Sequence, residues 1–289
     1  MLKEGRAGLA DISRLEHIPA FGDSELLKET LAGLADIRQG LLCWRIWMML
    51  AWNDVRRRYR RSGLGQFWLT LSMAVMIGGL GYIYSHLFGT DVTSFLPYLA
   101  VTFVEWAIIS SLVNDSCNAF IENDGFLRNI YLPRSLFVYR VIARTLIVAA
   151  HNVIIIPVVF AYFHIGLNFN VLWLIVGLAL LLANGFWLGL FLAVICARFR
   201  DVPQIVASIV QVAFFMTPVM FRPEQLAQRG ISFLKWNPFA SLLEVVRDPL
   251  LGAHPSGWAL ASCAVMAIVG LMLVVPFFGR FGPRAVYWL

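Results

Sequence analysis

Arg56-Arg57-Arg58-Tyr59-Arg60-Arg61, then Ser62-Gly63-Leu64-Gly65, then Phe67 to Phe88 without one Asp, Glu, Lys or Arg: this junction decides the fold. An uncharged apolar run of that length reads as a membrane span. About 20 residues, each rising about 1.5 Å, cover the hydrocarbon core of a bilayer. Arginines packed on one flank mark the side that stays in the cytoplasm. The chain is therefore read as an all-α, polytopic inner-membrane protein with its N-terminus inside.

On the N-terminal side of the junction, Trp44, Met48, Ala51, Trp52, Val55 and Tyr59 recur at three- and four-residue intervals. They share one helical face, and arginines occupy most of the rest. Such a helix lies in the interface plane, with its tryptophans at headgroup level. Residues 41–65 are thus an amphipathic interfacial helix followed by a loop. It is read either as an anchor for the first span or as a lever that also touches a cytoplasmic partner. Residues 1–40 alternate charges and lack an apolar core with a small-residue cleavage site, so they are read as a cytoplasmic extension and not a signal peptide.

On the C-terminal side, six spans are predicted, at about 67–88, 95–113, 137–163, 172–197, 204–221 and 257–278, within a domain of residues 66–280. A cytoplasmic tail of residues 281–289 follows. The region to Arg61 holds eleven Lys and Arg residues, and the inner loops, inner helix ends and tail add eight. The outer side holds four (Arg222, Arg229, Lys235 and Arg247), an asymmetry that fixes the orientation by the positive-inside rule. Hydrophobic residues make up 60% of the chain and charged residues 14%. Soluble domains carry about 25% charged residues, so the apolar surplus must face lipid. The net charge of +6 clusters beside apolar spans, which argues for headgroup contact and against nucleic acid. The four cysteines show neither a CxxC nor metal-ligand spacing with His, so no disulfide framework or metal site is predicted.

Two connections are longer than turns. The inner one includes 119–133, a short amphipathic helix stopped at Pro133. Phe120, Phe126 and Leu127 exposed there need a cover, either headgroups or a groove on another protein. In the outer one, 222–256, short apolar pieces broken by Pro238 and Pro249 are expected to dip into the membrane and return as re-entrant helices. Glu105, His151, Asn152, Asn184 and Gln211 fall inside predicted spans, and Glu105 and His151 lie at depths that allow them to pair. They form either a polar seam along a path or a set of interhelical bonds. Gly185 and Gly189 form a GxxxG suited to close helix approach. The sequence contains no GxxxxGK[ST], HExxH or GxSxG, so nothing in it binds ATP by a P-loop or pairs a nucleophile with a base.

The order of motifs resembles the membrane subunit of bacterial polysaccharide ABC exporters, the type-2 class that moves O-antigen, capsule, teichoic acid and galactan chains. The matching pieces are Arg-Tyr-Arg-Arg-Ser-Gly-Leu-Gly into Phe67-Trp68, then Tyr131-Leu132-Pro133-Arg134 and Ala197-Arg198-Phe199-Arg200-Asp201-Val202. Trp236-Asn237-Pro238-Phe239 and Asp248-Pro249-Leu250-Leu251-Gly252 follow. Together they cover most of residues 44–280. The resemblance implies a non-catalytic homodimer in the inner membrane, docked on two cytoplasmic ATPase subunits that bind the ATP and Mg. It implies a lipid-linked polysaccharide substrate and no cofactor, metal or nucleic acid in this chain. It assigns coupling to Phe120, Glu122, Phe126, Leu127, Arg128, Arg57 and Arg58, and an inner gate loop to Ser62, Leu64 and Gly65. A path walled by rings on which sugar CH faces slide would draw on Phe67, Trp68, Tyr82, Tyr84, Tyr98, Phe103, Trp106, Phe214 and Phe215. Rival readings are a type-2 exporter of a small lipid or drug, a membrane-embedded glycan polymerase, and a passive channel.

Overall fold

The N-terminal extension contains a helix. In the computed structural model, which describes residues 23–59, 65, 67–166, 168–224 and 233–289, α1 runs over Asp23–Leu42 and α2 over Trp44–Tyr59, separated by Cys43 alone. The predicted stripe of α2 divides into two neighbouring faces. Ala51 and Val55 are buried, whereas Trp44, Met48, Met49 and Trp52 stay exposed. One face serves the protein and the other the surroundings, as expected of an amphipathic helix lying against a bundle.

Next come α3 (Phe67–Phe88) and α4 (Val92–Cys117), which have opposite environments. α4 is buried around most of its circumference and sits at the centre, with Phe95, Leu99, Val101, Phe103, Val104, Ile109 and Leu112 in the core. α3 is apolar yet leaves Phe67, Trp68, Leu71, Val75, Met76, Tyr82 and Ile83 exposed. A short 3-10 turn, Ile121–Asn123, and a helix of six residues, α5 (Asp124–Asn129), form the inner connection. This is less helix than the predicted 119–133, because Ile130 is extended and Pro133 follows.

The predicted third span is broken into α6 (Ser135–Asn152) and α7 (Ile155–Tyr162). Pro157 explains the break: it has no N–H to donate and its ring crowds the carbonyl four residues earlier, at Val153. α8 (Trp173–Arg198) returns beside α4, where Gly185 meets Leu112 and Gly189 meets Ser116 and Val138, the close approach that GxxxG permits. α9 (Val202–Met216) has Pro203 at its start. Its 15 residues rise about 22 Å, less than the predicted span of 204–221, because Pro218 stops the helix.

Residues 217–221 continue without helix, and α4 side chains take up their carbonyls. Tyr98 Oη donates to Pro218 O at 2.6 Å and to Phe221 O at 2.9 Å, and Thr102 Oγ1 donates to Val219 O at 2.9 Å. Irregular backbone survives at membrane depth only where protein satisfies it in this way. The chain climbs until Arg222 Nη2 donates to Ser94 O, near the start of α4, at 2.6 Å. It then dives back: Asn237 Nδ2 donates to Thr217 Oγ1 at 3.1 Å and to Met216 O at 3.3 Å, beside the end of α9. Asn237 also caps α10 (Pro238–Leu250) by accepting from Phe239 N. α10 therefore begins beside mid-bundle Trp106 and ends where Asn170 Nδ2, in the 3-10 turn Phe169–Leu172 before α8, donates to Gly252 O. Finally α11 (Gly257–Ala285) runs the full length of the bundle. Among the described residues five segments are long and apolar enough to cross a membrane, with α9 a shorter sixth. The end carrying α2 and α5 is called the near end below, and the other the far end.

Candidate functional site

At the near end, one carboxylate gathers the connection. Arg140 of α6 grips Asp54 of α2 in a fork, Nε to Oδ2 and Nη2 to Oδ1, both at 2.7 Å. Arg57 Nη2 adds a bond to Oδ1 at 2.9 Å, and Arg144 Nη1 lies 3.8 Å from Oδ2. Arg144 also reaches Asp115 at the end of α4, at 3.2 Å, and Glu122, at 3.8 Å. Arg140 Nη1 donates to Asn123 Oδ1. Burial works to raise the Asp54 carboxyl, but the Arg140 fork, the Arg144 charge and the Arg57 bond outweigh it and hold its pKa below the ordinary 3.8. Thus α2, α4, α6 and the 3-10 turn share one ionic knot. Sequence reading missed Asp54, Asp115, Arg140 and Arg144 as a group. The available signal was Asp54 itself, the only acid in a helix rich in arginine.

The knot aims a small apolar face outward. Tyr131 is 99% exposed, Ile130 50% and Phe126 40%. Phe120, predicted to be exposed with Phe126 and Leu127, is instead 0% exposed, its ring edge-on to Phe137 with centroids 6.5 Å apart. Leu127 is partly buried against the same cluster. These two anchor the segment because their side chains point down onto the bundle, which moves the presenting surface to Phe126, Ile130 and Tyr131. Arg128 pairs with Asp124 one turn earlier, while Arg57 and Arg58 are exposed. Of the predicted gate loop, Ser62 and Leu64 lie outside the described residues. Gly65 has φ +58°, the left-handed region that glycine enters without strain, at the bend into α3.

The predicted path aromatics separate into two groups. Phe67, Trp68, Tyr82 and Phe215 are exposed. Tyr98, Phe103 and Trp106 are buried in the bundle. Phe103 and Trp106 pack on Phe214 of α9 at 5.7 Å each, and Trp106 on Phe239 of α10 at 5.7 Å, so these rings fill the seam between α4, α9 and α10. Tyr98 fastens the 217–221 stretch, and the Arg247 guanidinium lies over its ring at 5.4 Å. Tyr84 is half-buried.

The intramembrane polar residues also part company. Glu105 is buried, neither of its oxygens has a hydrogen-bond partner, and the charges acting on it are Arg247 and Asp248 of α10. The expected pairing with His151 is not made, because the His151 ring turns back to Ile147 O at 2.8 Å. Asn152 is buried, with its Oδ1 unpartnered. Asn184 locks helices together: its Nδ2 donates to Cys263 O of α11 at 3.0 Å, and its Oδ1 accepts from Trp187 Nε1 at 3.0 Å. Gln211 is exposed. With Gln204, Ser208 and Phe215 it forms a stripe at helical spacing on the outward face of α9. Ser208 Oγ donates to Gln204 O at 3.0 Å, but the Gln204 and Gln211 amides would be costly against acyl chains.

Residues 45–251 match the ABC-2 type transporter family. The polysialic acid transport protein KpsM of Escherichia coli is 26% identical over 230 residues, covering 76% of this chain and 87% of that protein. The O-antigen export system permease protein RfbA of Klebsiella pneumoniae is 20% identical over 201 residues, covering 68% and 76% respectively.

Proposed function

The chain belongs to the ABC-2 type transporter family, and from that premise we propose that it is the membrane subunit of an ATP-driven exporter of a lipid-linked polysaccharide. The polysaccharide cargo is argued from the relatives, one named for polysialic acid and one for O-antigen, both aligned over two thirds or more of this chain. The observation that carries the mechanism is the near-end face of Phe126, Ile130 and Tyr131, mounted on three helices through the Asp54–Arg140–Arg144 knot. The sequence has no P-loop of its own, so the energy enters through a partner.

In this reading the near end faces the cytoplasm, and two cytoplasmic ATPases, carrying the ATP and Mg, seat on that face in a dimer of this chain. Closing of the ATPases pushes α5, and the knot carries the push to α2, α4 and α6 together. The outward faces of α3 and α9 then meet a second copy and border the path. The Gln204, Ser208 and Gln211 stripe offers hydrogen bonds to sugar hydroxyls, and Phe215 a ring to sugar CH faces. The chain's own part is to bind, orient and open, and hydrolysis occurs elsewhere.

Affinity purification from native membranes in mild detergent, followed by intact-mass analysis, tests the assignment. A near-equimolar P-loop ATPase and a dimeric mass are expected. Recovery of the chain alone, or with glycosyltransferases only, would contradict it.

A further inference from the structure

α1 lies outside the part of the chain that matches the family, and its geometry gives it a partner. Glu29, Gly33, Asp36, Ile37 and Gly40 face the bundle. A Cβ on Gly33 would collide with the Val275 carbonyl of α11, and one on Gly279 with the Glu29 carbonyl, so the two backbones touch. Further along, Asp36 accepts from Arg134 N at 3.0 Å and Ser135 N at 2.9 Å, and Ser135 Oγ donates back to Asp36 O at 2.9 Å. α1 thus crosses from α11 to the start of α6, where the segment presenting Tyr131 rejoins the bundle.

The rest of α1 is apolar without a protein cover. Leu26, Leu27, Leu31, Leu34, Leu41 and Leu42 are each roughly half exposed or more, while Lys28 and Gln39 project to the other side. We propose that α1 is a second membrane-interface helix, and that this leucine face is embedded in the acyl chains of the near-end leaflet.

Two observations select lipid as the occupant. The first is depth. α11 is about 43 Å long against a hydrocarbon core of about 30 Å, so when centred it overhangs by about 7 Å at each end. Gly279 and Val275 then lie about 2–8 Å inside the boundary, close to the 5–10 Å at which interfacial helices sit. The second is continuity, since the leucines run on into exposed Trp44, Met48, Met49 and Trp52 of α2, and α11 exposes Met272 and Leu273 near the contact. Arg38 shares the leucine side, and a stem of that length lets a guanidinium reach the phosphates while its methylenes stay among acyl chains. The bilayer therefore holds α1, and Asp36 ties the end of the near-end segment to it. This conclusion requires α11 to be a span and is independent of any cargo or ATPase.

Spin labels distinguish the possible occupants in the full chain reconstituted in lipid nanodiscs. Leu27→Cys, Leu31→Cys, Leu34→Cys, Lys28→Cys and Gln39→Cys are made one at a time in a Cys43→Ala background, the other three cysteines being buried. The ratio of oxygen to water-soluble nickel collisions is expected to be several-fold higher at the three leucine positions than at Lys28 and Gln39. Equal nickel access at both sets would place α1 in water and overturn the proposal. Leucine positions shielded from both reagents would assign the face to protein and overturn it as well. Cross-linking of the unsubstituted chain to photoactivatable lipid acyl chains, mapped to α1 peptides by mass spectrometry, gives the same answer without a label. Absence of α1 adducts beside abundant α3 adducts would refute the idea.

Discussion

Asp54 bridges Arg140 and Arg144, and removing its charge leaves the part-buried Arg140 guanidinium without its carboxylate, while Arg144 keeps Asp115 and Glu122. Asp54→Asn should destabilise the near end by about 1.5–3 kcal/mol, the range for hydrogen bonds to charged groups, read as a lower melting point in detergent. Because the folded pKa is depressed, the stabilisation is complete above the unfolded value and is lost as pH falls through the folded one. Wild-type melting should therefore hardly respond to Asp54 between neutral pH and about pH 4, and the advantage over Asp54→Asn should vanish below that. At the neighbouring segment, Phe126→Asp and Tyr131→Asp should abolish co-purification of the ATPase while changing stability by less than about 0.5 kcal/mol. Phe120→Ala should do the reverse, costing about 3–5 kcal/mol through the cavity it leaves. If Tyr131→Asp retains the ATPase at wild-type levels, the docking face is misassigned. Single residues were the least legible part of the sequence. Phe120 and Phe126 are the same residue type six positions apart, and only the turn at Asn118–Asn123 sends one inward and the other outward.

Elements were legible where hydrophobic length alone decides them. α3 and α8 follow their apolar runs closely, α11 runs seven residues past its predicted span of 257–278 to Ala285, and α2 follows its arginine-edged pattern. Proline made the departures: Pro157 splits the third span, and Pro218 stops α9 short. α1 escaped notice because its leucines are interleaved with charges, and its two apolar faces, one on α11 and α6 and one outward, blur any single stripe. The return of the chain to Asn237 was expected from short apolar pieces between prolines, but its fastening by Tyr98 and Thr102 of α4 could not be read from local sequence. At this scale Asn184→Leu and Gln211→Leu form an informative pair. Asn184→Leu should cost about 0.6–1.7 kcal/mol, as polar bonds between membrane helices do, by parting α8 from α11. Gln211→Leu should leave stability unchanged and lower the export rate, measured as surface glycan per folded molecule. Unaltered export by Gln211→Leu would remove the α9 stripe from the path.

For the whole molecule, the two poorly covered helices α3 and α9 and the near-end face describe an incomplete object. A single copy leaves the amides of α9 facing outward and Phe126, Ile130 and Tyr131 uncovered at the near end. That division between covered core and waiting surfaces is what a subunit driven by another protein requires. As a subunit of this family, the chain is proposed to carry a lipid-linked glycan across the membrane under the power of a separate ATPase. The most direct test is to deplete the chain in its own cells and measure lipid-linked polymer inside and glycan at the surface. Polymer should accumulate in the cytoplasm while surface glycan disappears, with rescue by the wild type and none by Tyr131→Asp. Surface glycan that persists on depletion, or polymer that is no longer made at all, would contradict it.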